Sequence, residues 1–289
     1  DGYVSRVRRD GTPMRPPVRL PGYGDADSGR AAPAPGATAI LAPGIEGQTL
    51  RFYDYEGRPQ GPPFALHGRP IEAVGLSADG ATIATAVSDA RTRVVQRWTA
   101  AGAKIGDLPR LDGALAIHRL DFSPDGRILV ARALGIDGAF AIIRRDAPPR
   151  FERRGETFLG FLADGGLART ESGAIVFEAA DGAIRRRVPF DPDFKLHAIL
   201  PGGAQVLADD GVATRLVPLD AVTKPADRPS LWIAAEAAAV AGLAGGDLRI
   251  VFEGGRLAAI ELGRAARRAI VAAWQLQKGH FSPDGGRIL

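Results

Sequence analysis

One short motif recurs along the chain at intervals of about forty residues. Each copy places a glycine-containing turn between an apolar segment and a run rich in Val, Ile, Leu and Ala, as in "GLSADGATIATA" and "DFSPDGRILVA". The intervals between successive anchor glycines are 44, 46, 39, 38, 43 and 39 residues. Such regularity predicts an array of similar structural units. The anchors are Gly36, Gly80, Gly126, Gly165, Gly203, Gly246 and Gly285.

The residues of each unit favour β-hairpins over helices. An Asp-Gly or Gly-Gly pair favours a hairpin because its tight turn needs a residue with positive φ, and most units contain a second turn glycine. Two hairpins give four antiparallel strands, and such sheets bury both faces only by stacking around a common axis, as the blades of a β-propeller do. Only 233–245 and 261–273 have the alanine content of a helix, and either fits a strand equally well. The second glycines are Gly11, Gly57, Gly102, Gly182 and Gly263.

The two ends of the chain resemble parts of one unit. Residues 1–11 read "DGYVSRVRRDG" and align with "DGAFAIIRRDA" at 137–147, in the second half of a unit. Residues 281–289 read "FSPDGGRIL" and match "FSPDGRIL" at 122–129, which opens a unit. The N-terminal segment therefore supplies the half of a unit that the C-terminal segment lacks.

These observations predict an all-β fold and one domain over 1–289. It is a seven-bladed β-propeller of four-stranded antiparallel blades, with six whole blades and one blade split between 1–20 and 270–289. Pairing the N- and C-terminal segments in one blade closes the ring and removes free sheet edges. The alternative is that both ends belong to a longer array, with an eighth blade.

The stretch 53–98 resembles bacterial WD40 repeats of the WD40/YVTN-like superfamily. It reads "YDYEGRPQGPPFALHGRPIEAVGLSADGATIATAVSDARTRVVQRW". The resemblance is strong over roughly 45–130 and decays beyond, where the later units lack the family's His and Trp. Propellers with Ser-Pro-Asp-Gly turns in periplasmic and oligopeptidase proteins are also similar, but the "GRPQGPP" segment favours WD40.

Four side chains occupy the positions of the WD40 hydrogen-bond network. His67 lies thirteen residues before Gly80, and Trp98 fills the family's tryptophan position. Thr85 and Asp89 lie five and nine residues after Gly80. The resemblance implies that His67, Thr85, Asp89 and Trp98 form a structural network within one blade, rather than the catalytic triad that the same residue types could form.

Composition limits the chemistry available to the chain. It contains no cysteine, which excludes disulfides, thiolate nucleophiles and cysteine zinc sites. The net charge is +4 over 289 residues, and 45% of them are hydrophobic, as in an ordinary globular protein. No apolar run approaches the roughly 20 residues of a membrane helix, and no basic-then-apolar leader opens the chain. We therefore expect a cytoplasmic protein that does not associate with a membrane.

Other candidate sites are better explained as structure. His118, His197 and His280 fall near the expected inner strands and could converge on a metal, but their offsets from the anchor glycines differ. The acidic segments 24–29 and 191–194 suit solvated turns. The chain contains neither a phosphate-binding P-loop nor a Gly-x-Ser-x-Gly nucleophile elbow. The sequence thus predicts no enzyme activity, no cofactor and no metal.

Arginine clusters provide a candidate interaction rim. Several lie beside turns of the same type, which share one face of a propeller, and could contact an acidic protein, nucleic acid or a phosphoinositide. Nearby acids such as Asp146 and Asp181 reduce the local positive charge, so a solvated edge is the favoured interpretation. The rim residues are Arg8, Arg9, Arg144, Arg145, Arg185, Arg186 and Arg187.

The sequence therefore predicts a non-enzymatic scaffold or sensing module that presents blade loops to another protein or to a fused domain. The WD40 resemblance implies that it is part of a larger bacterial signalling or defence protein. Two alternatives remain open: a propeller hydrolase or lyase at the channel mouth, and binding of nucleic acid or an anionic surface through the arginine rim.

Overall fold

A computed structural model of the chain describes its strands and many of the turns that join them. The described residues are 3–4, 18–19, 32–33, 40–43, 49–54, 58–65, 71–89, 92–107, 111–112, 116–134, 140–144, 150–151, 156–200, 202–209, 214–222, 231–234, 237–242, 247–252, 257–261 and 267–270.

The described residues form an all-β fold of antiparallel sheets, most of them four-stranded. Successive strands pair in chain order, so each four-stranded sheet is a meander, and none of these sheets is closed on itself. The only helical element within the described ranges is one 3-10 turn, Leu219–Ala221. The strands fall into two compact units, with β1–β15 in the first and β16–β27 in the second.

The first unit contains a two-stranded sheet and three larger meanders, with β11 pairing to β9 as an additional strand. Its strands are β1 (Tyr3–Val4), β2 (Val18–Arg19), β3 (Ala32–Pro33), β4 (Ile40–Pro43), β5 (Thr49–Tyr53), β6 (Pro59–Ala65), β7 (Ile71–Leu76), β8 (Thr82–Asp89), β9 (Thr92–Thr99), β10 (Lys104–Asp107), β11 (Leu111–Asp112), β12 (Ala116–Phe122), β13 (Ile128–Leu134), β14 (Phe140–Arg144) and β15 (Arg150–Phe151).

The second unit contains three four-stranded meanders. Its strands are β16 (Phe158–Phe161), β17 (Leu167–Glu171), β18 (Ala174–Glu178), β19 (Ile184–Pro189), β20 (Lys195–Ile199), β21 (Gln205–Asp209), β22 (Thr214–Pro218), β23 (Leu231–Ala234), β24 (Ala237–Gly242), β25 (Asp247–Phe252), β26 (Leu257–Glu261) and β27 (Arg267–Ile270).

The anchor glycines that are described all form the turn between the first two strands of their sheet. Gly80, Gly126, Gly165 and Gly203 have φ angles of 71°, 69°, 82° and 68°. In each turn the glycine amide donates to the carbonyl three residues earlier, at 2.8 to 3.1 Å. Because this backbone conformation strains other residues, the recurring glycine in the sequence marks a recurring turn.

The first strands of neighbouring sheets lie side by side within each unit. β7 lies against β12 in the first unit, and β16 lies against β20 in the second. A Cβ atom at Gly75 would lie 2.7 Å from the Leu120 carbonyl oxygen, and one at Gly160 would lie 3.3 Å from that of Ile199. Both glycines precede their anchor by five residues, so the same position permits the same close approach.

Buried apolar clusters join neighbouring sheets within each unit. In the first unit, alanines of β7 and β8 pack with larger residues of β12, β13 and β14. In the second unit, residues of β16–β18 pack with those of β20–β22 and the 3-10 turn. Face-to-face packing of successive meanders is the arrangement expected of propeller blades. The first cluster contains Ala73, Ala84, Ala86, Val95, Ile117, Leu120, Leu129, Ala131, Ala141 and Ile143.

The two alanine-rich segments both contain strands. β23 and β24 overlap 233–245, and β27 lies within 261–273. Residues 271–289 lie outside the described residues, and only β1 and β2 are described within 1–20. The split blade, the closure of the ring and the single domain over 1–289 therefore stay predictions.

A helix that is long and apolar enough to cross a membrane does not occur among the residues that the structure describes.

Candidate interaction surface

The sequence-predicted structural network is described in part. Trp98 and Thr85 are buried, and the Trp98 indole Nε1 donates to Thr85 Oγ1 at 2.9 Å. Asp89 ends β8 opposite Thr92, but its side chain lies outside the described residues, as does all of His67. The Trp98–Thr85 bond satisfies two buried polar groups. The four-residue network stays a prediction.

A serine and an aspartate hold the turn in two neighbouring sheets. Between β7 and β8, Ser77 Oγ donates to Asp79 Oδ1 at 2.6 Å and accepts from the Thr82 amide at 2.9 Å. Ser123 makes the equivalent bonds between β12 and β13, also at 2.6 and 2.9 Å. The "S-x-D-G" pattern therefore combines a glycine turn with a side-chain clamp.

The clamp shifts the ionisation of Asp125. Burial acts to raise the pKa of this carboxyl group, but hydrogen bonds from the Ser123 hydroxyl and the Arg127 amide outweigh it. The positive charge of Arg127 acts in the same direction, and the pKa of Asp125 is held below its ordinary value. The clamp therefore favours the charged carboxylate at neutral pH.

Leucines replace the clamp serine in the second unit. Leu162 and Leu200 occupy the serine position of the β16–β17 and β20–β21 turns and are buried. Leu162 joins the apolar cluster of the second unit, so packing takes the place of the serine hydrogen bonds. This substitution agrees with the loss of WD40-like residues in the later units.

The histidine and acidic candidates are distributed among separate elements. His118 lies half-buried on β12, His197 lies half-buried on β20, and His280 lies outside the described residues. Asp191 caps its own turn, accepting from the Asp193 amide at 2.9 Å, while 24–29 is not described. In the part of the chain that the structure describes, no three His, Asp or Glu side chains form a group that could hold a metal ion.

The arginine rim is described at four of its seven positions. Arg144 ends β14 and is half-buried, whereas Arg185, Arg186 and Arg187 are exposed on β19. Arg8, Arg9 and Arg145 lie outside the described residues.

The three arginines of β19 differ in their partners. Arg185 forms an ion pair with Asp164, whose pKa is held below its ordinary value by that hydrogen bond and by another from the Gly166 amide. Arg187 Nη2 lies 3.1 Å from Glu171 Oε2. Arg186 instead places its guanidinium carbon 4.0 Å from the centre of the Phe177 ring. Within the described residues, Arg186 is the member of this triplet that forms no ion pair with a carboxylate.

A groove lies beside Arg186, between the β16–β17 and β20–β21 turns of the second unit. Its volume is about 400 Å³. The first turn contributes Leu162 and Asp164 to its lining, and the second contributes Gly202 and Gly203. The sequence did not predict this groove, because it depends on how two sheets pack rather than on any contiguous motif.

The second unit also contains a buried charge cluster that the sequence analysis did not predict. Arg169 on β17 is 2% exposed, and its Nε lies 2.6 Å from Oε1 of Glu178, which is fully buried. Its Nη2 lies 2.7 Å from Glu171, and its Nη1 lies 3.5 Å from Glu156. The available signal was the alternation in "LARTE", where charged residues two apart share one face of a buried strand.

A smaller charge cluster joins β12 and β13. Asp121 accepts from Arg119 Nε at 2.7 Å and from Arg132 Nε at 2.8 Å. Burial holds the pKa of Arg132 below its ordinary value, although the Asp121 carboxylate acts in the opposite direction. Because Asp121 bonds an arginine on each of the two strands, the pairing indicates a structural role for these side chains.

Comparison with known proteins supports the fold. No protein-family model matches the sequence, and no curated protein matches it. A solved structure of hydrazine synthase from Kuenenia stuttgartiensis, a propeller-type protein, is similar to this chain with a TM-score of 0.56 and 15% sequence identity. The similarity covers 94% of this chain and 90% of that chain. At this identity it supports the fold alone, and the all-β meanders are compatible with a β-propeller.

Proposed function

We propose that the chain is a seven-bladed WD40-type propeller that acts as a non-enzymatic scaffold or sensing module for a protein partner. Six whole blades and one blade shared by the two chain ends close the ring. The partner is another protein or a fused domain of a larger bacterial signalling or defence protein in the cytoplasm. The recurring meanders, glycine turns and side-by-side first strands support the propeller.

The exposed outer strand β19 is the observation on which the interaction role rests. β19 pairs with β18 along one edge, and within the described residues no strand pairs with its other edge. Ile184 is 47% exposed beside three exposed arginines. An apolar side chain next to arginines on an open strand edge suits a protein partner, because arginine is enriched at protein interfaces and open edges accept additional strands.

The enzymatic alternative has less support. A hydrolase or lyase at the channel mouth requires histidines or acids that converge from several blades. Hydrazine synthase is an enzyme by its name, but the similarity of 15% identity concerns the fold, and we do not propose its activity for this chain.

The arginine-rim alternative is weakened by the ion pairs on β19. A rim for nucleic acid needs several cations that are free to neutralise phosphates. Arg185 and Arg187 each face a carboxylate of their own sheet. The local positive charge is therefore smaller than the arginine triplet in the sequence suggests.

Affinity capture from a nuclease-treated lysate of the source cells tests the proposal. The baits are the wild-type chain, Ile184→Asp, and Ile105→Asp as a matched control, because Ile105 is a 48% exposed isoleucine on the outer strand β10. We expect wild type and Ile105→Asp to retain the same discrete protein at moderate salt, and Ile184→Asp to lose it. An empty wild-type bait, equal capture by all three baits, or recovery of nucleic acid alone from an untreated lysate would contradict the proposal.

A further inference from the structure

The groove between the β16–β17 and β20–β21 turns has the size of a ligand site. Its volume of about 400 Å³ lies within the range of about 300 to 1,000 Å³ that is common for such sites. Both turns belong to the second unit and are held by backbone hydrogen bonds, including one from the Leu162 amide to the Gly166 carbonyl at 2.8 Å. The groove is therefore built by two well-defined turns.

Arg186 is held in a fixed orientation at this groove. Its guanidinium lies over the Phe177 ring, and its Nη2 donates to the Gly203 carbonyl at 3.1 Å. The ring contact and the hydrogen bond together fix the plane of the guanidinium. Arginine has five N–H donors, so others remain for a ligand. A planar, stacked guanidinium matches the geometry of a carboxylate.

The charges around the groove leave a single positive excess. The groove is lined by Arg185, Arg186 and Asp164, and the first and last of these form an ion pair. Arg186 has no carboxylate partner among the described residues. One isolated anionic group therefore complements the groove, whereas a polyanion would also approach the Asp164 carboxylate.

Glycine keeps the groove open. Leu162 and Phe177 are among its lining residues, and they are 7% and 2% exposed. A Cβ atom at Gly203 would lie 3.5 Å from Leu162 Cδ2 and 3.6 Å from Phe177 Cε1, and so would fill part of the groove. A Cβ atom at Gly202 would meet nothing within 4 Å. The leucine and the phenylalanine are therefore packed within the lining of the groove, and Arg186, which is exposed, is the group that a ligand can reach.

We propose that this groove binds an acidic peptide segment of the protein partner. The carboxylate of a Glu or Asp pairs with Arg186, whose guanidinium is exposed and is held by Phe177 and the Gly203 carbonyl. The proposal rests on the proposed scaffold function and names the chemistry that the scaffold recognises. A peptide is favoured over nucleic acid because, among the described residues, the groove has one cation without a carboxylate partner and also contains the Asp164 carboxylate in its lining.

Titration with two synthetic peptides tests this proposal. The probes are GGLELGG and its neutral counterpart GGLQLGG, capped at both ends and followed by NMR into the millimolar range. We expect the glutamate peptide to bind at least about tenfold more tightly than the glutamine peptide, as one charged hydrogen-bonded pair allows. Arg186→Gln should abolish this preference, and Gly202→Leu should weaken both peptides by occupying the groove.

A matched control distinguishes binding at the groove from nonspecific attraction between the peptide and other arginines. Arg127 is an exposed arginine in the β12–β13 turn of the first unit, and Arg127→Gln should retain the tenfold preference. Thermal melting of each variant checks that it is folded, and Gly202→Leu tests the groove independently of the Arg186–Phe177 contact.

Three results would overturn the groove proposal: no saturable binding, equal binding of the two peptides, or a glutamate preference that survives Arg186→Gln. Displacement of the peptide by a thymidine oligonucleotide that itself binds more tightly would also overturn it, in favour of nucleic acid. None of these results decides the scaffold proposal. That proposal is tested separately by the lysate capture with Ile184→Asp.

Discussion

Arg169 lies inside the β16–β19 sheet, where it is surrounded by glutamates. Its Nε and Nη2 donate to Glu178 and Glu171, and its Nη1 lies 3.5 Å from Glu156, so carboxylates surround the positive charge that burial removes from water. Burial by itself would raise the pKa of Glu171, but the hydrogen bond from Arg169 and the charges of Arg169 and Arg187 hold it below its ordinary value. The carboxylates and the arginine therefore depend on one another.

Replacing Arg169 by methionine should strongly destabilise the chain. The substitution leaves Glu178, which is fully buried, without its closest cation, and breaking a buried pair typically costs about 3–5 kcal/mol. The free energy of unfolding in urea measures this loss. Arg185→Met is the control, because its exposed pair with Asp164 should contribute about 0–1 kcal/mol. Equal losses in the two variants would contradict the structural role of Arg169.

Gly75→Ala should destabilise the first unit through a steric clash. The new Cβ atom would lie 2.7 Å from the Leu120 carbonyl oxygen, and this backbone atom cannot rotate away. We expect a loss of about 1–3 kcal/mol, as for other overpacked sites. Gly106→Ala is the matched control, since a Cβ atom there meets nothing within 4 Å. Urea unfolding of both variants provides the measurement, and a neutral Gly75→Ala would contradict the close approach of β7 and β12.

At the scale of the element, the turns show how one conformation is stabilised in two ways. Ser77 and Ser123 bind an aspartate and a strand amide, whereas Leu162 and Leu200 are buried at the same position. The hydrogen bond that the anchor glycine amide donates to the carbonyl three residues earlier is common to all four turns. The turn therefore depends on the glycine, while its neighbours vary between polar and apolar.

The serine–aspartate clamp should make stability depend on pH in the acidic range. The folded pKa of Asp125 is below its unfolded value of about 3.9. The ionised Asp125 therefore contributes fully to the free energy of unfolding above its unfolded pKa. This contribution is lost as pH falls through its folded pKa. Asp125→Asn should lower stability at neutral pH and reduce the loss between pH 5 and 2. Urea unfolding of wild type and Asp125→Asn at several pH values in this range tests the expectation. An equal loss of unfolding free energy in the two proteins would contradict it.

The turns could be predicted from sequence because each is encoded within a few contiguous residues. Ser-x-Asp-Gly identifies the turns at Gly80 and Gly126, and the recurring glycine after an apolar segment identifies those at Gly165 and Gly203. The partners of Arg185, Arg186 and Arg187 could not be predicted in this way. They depend on the registers of β17 with β18 and of β18 with β19, which bring together residues that are 9 to 21 positions apart.

At the scale of the whole molecule, the described chain repeats one plan in which consecutive strands build a sheet from its first strand outward. The first strand lies beside the first strand of a neighbouring sheet where both belong to one unit, as β7 and β12 do. The outer strands β10 and β19 are exposed along most of their length. Protection from solvent should therefore decrease from the inner to the outer strands of each sheet.

Hydrogen–deuterium exchange should show this gradient in both units. We expect amides of β8 and β17 to exchange much more slowly than those of β10 and β19, because the outer strands pair along one edge and face water along the other. Mass spectrometry of peptides that cover each strand provides the measurement. Outer strands as protected as their inner neighbours would indicate that something else covers them.

The meander arrangement also has a consequence for how the chain folds. Apart from β11, which pairs with β9, the strands that pair within each sheet are consecutive in sequence, so its first hydrogen bonds can form without closing a long loop. Contacts between sheets, such as β7 with β12, join more distant residues and must await the sheets themselves. We therefore expect folding to nucleate in any one sheet and to spread to its neighbours.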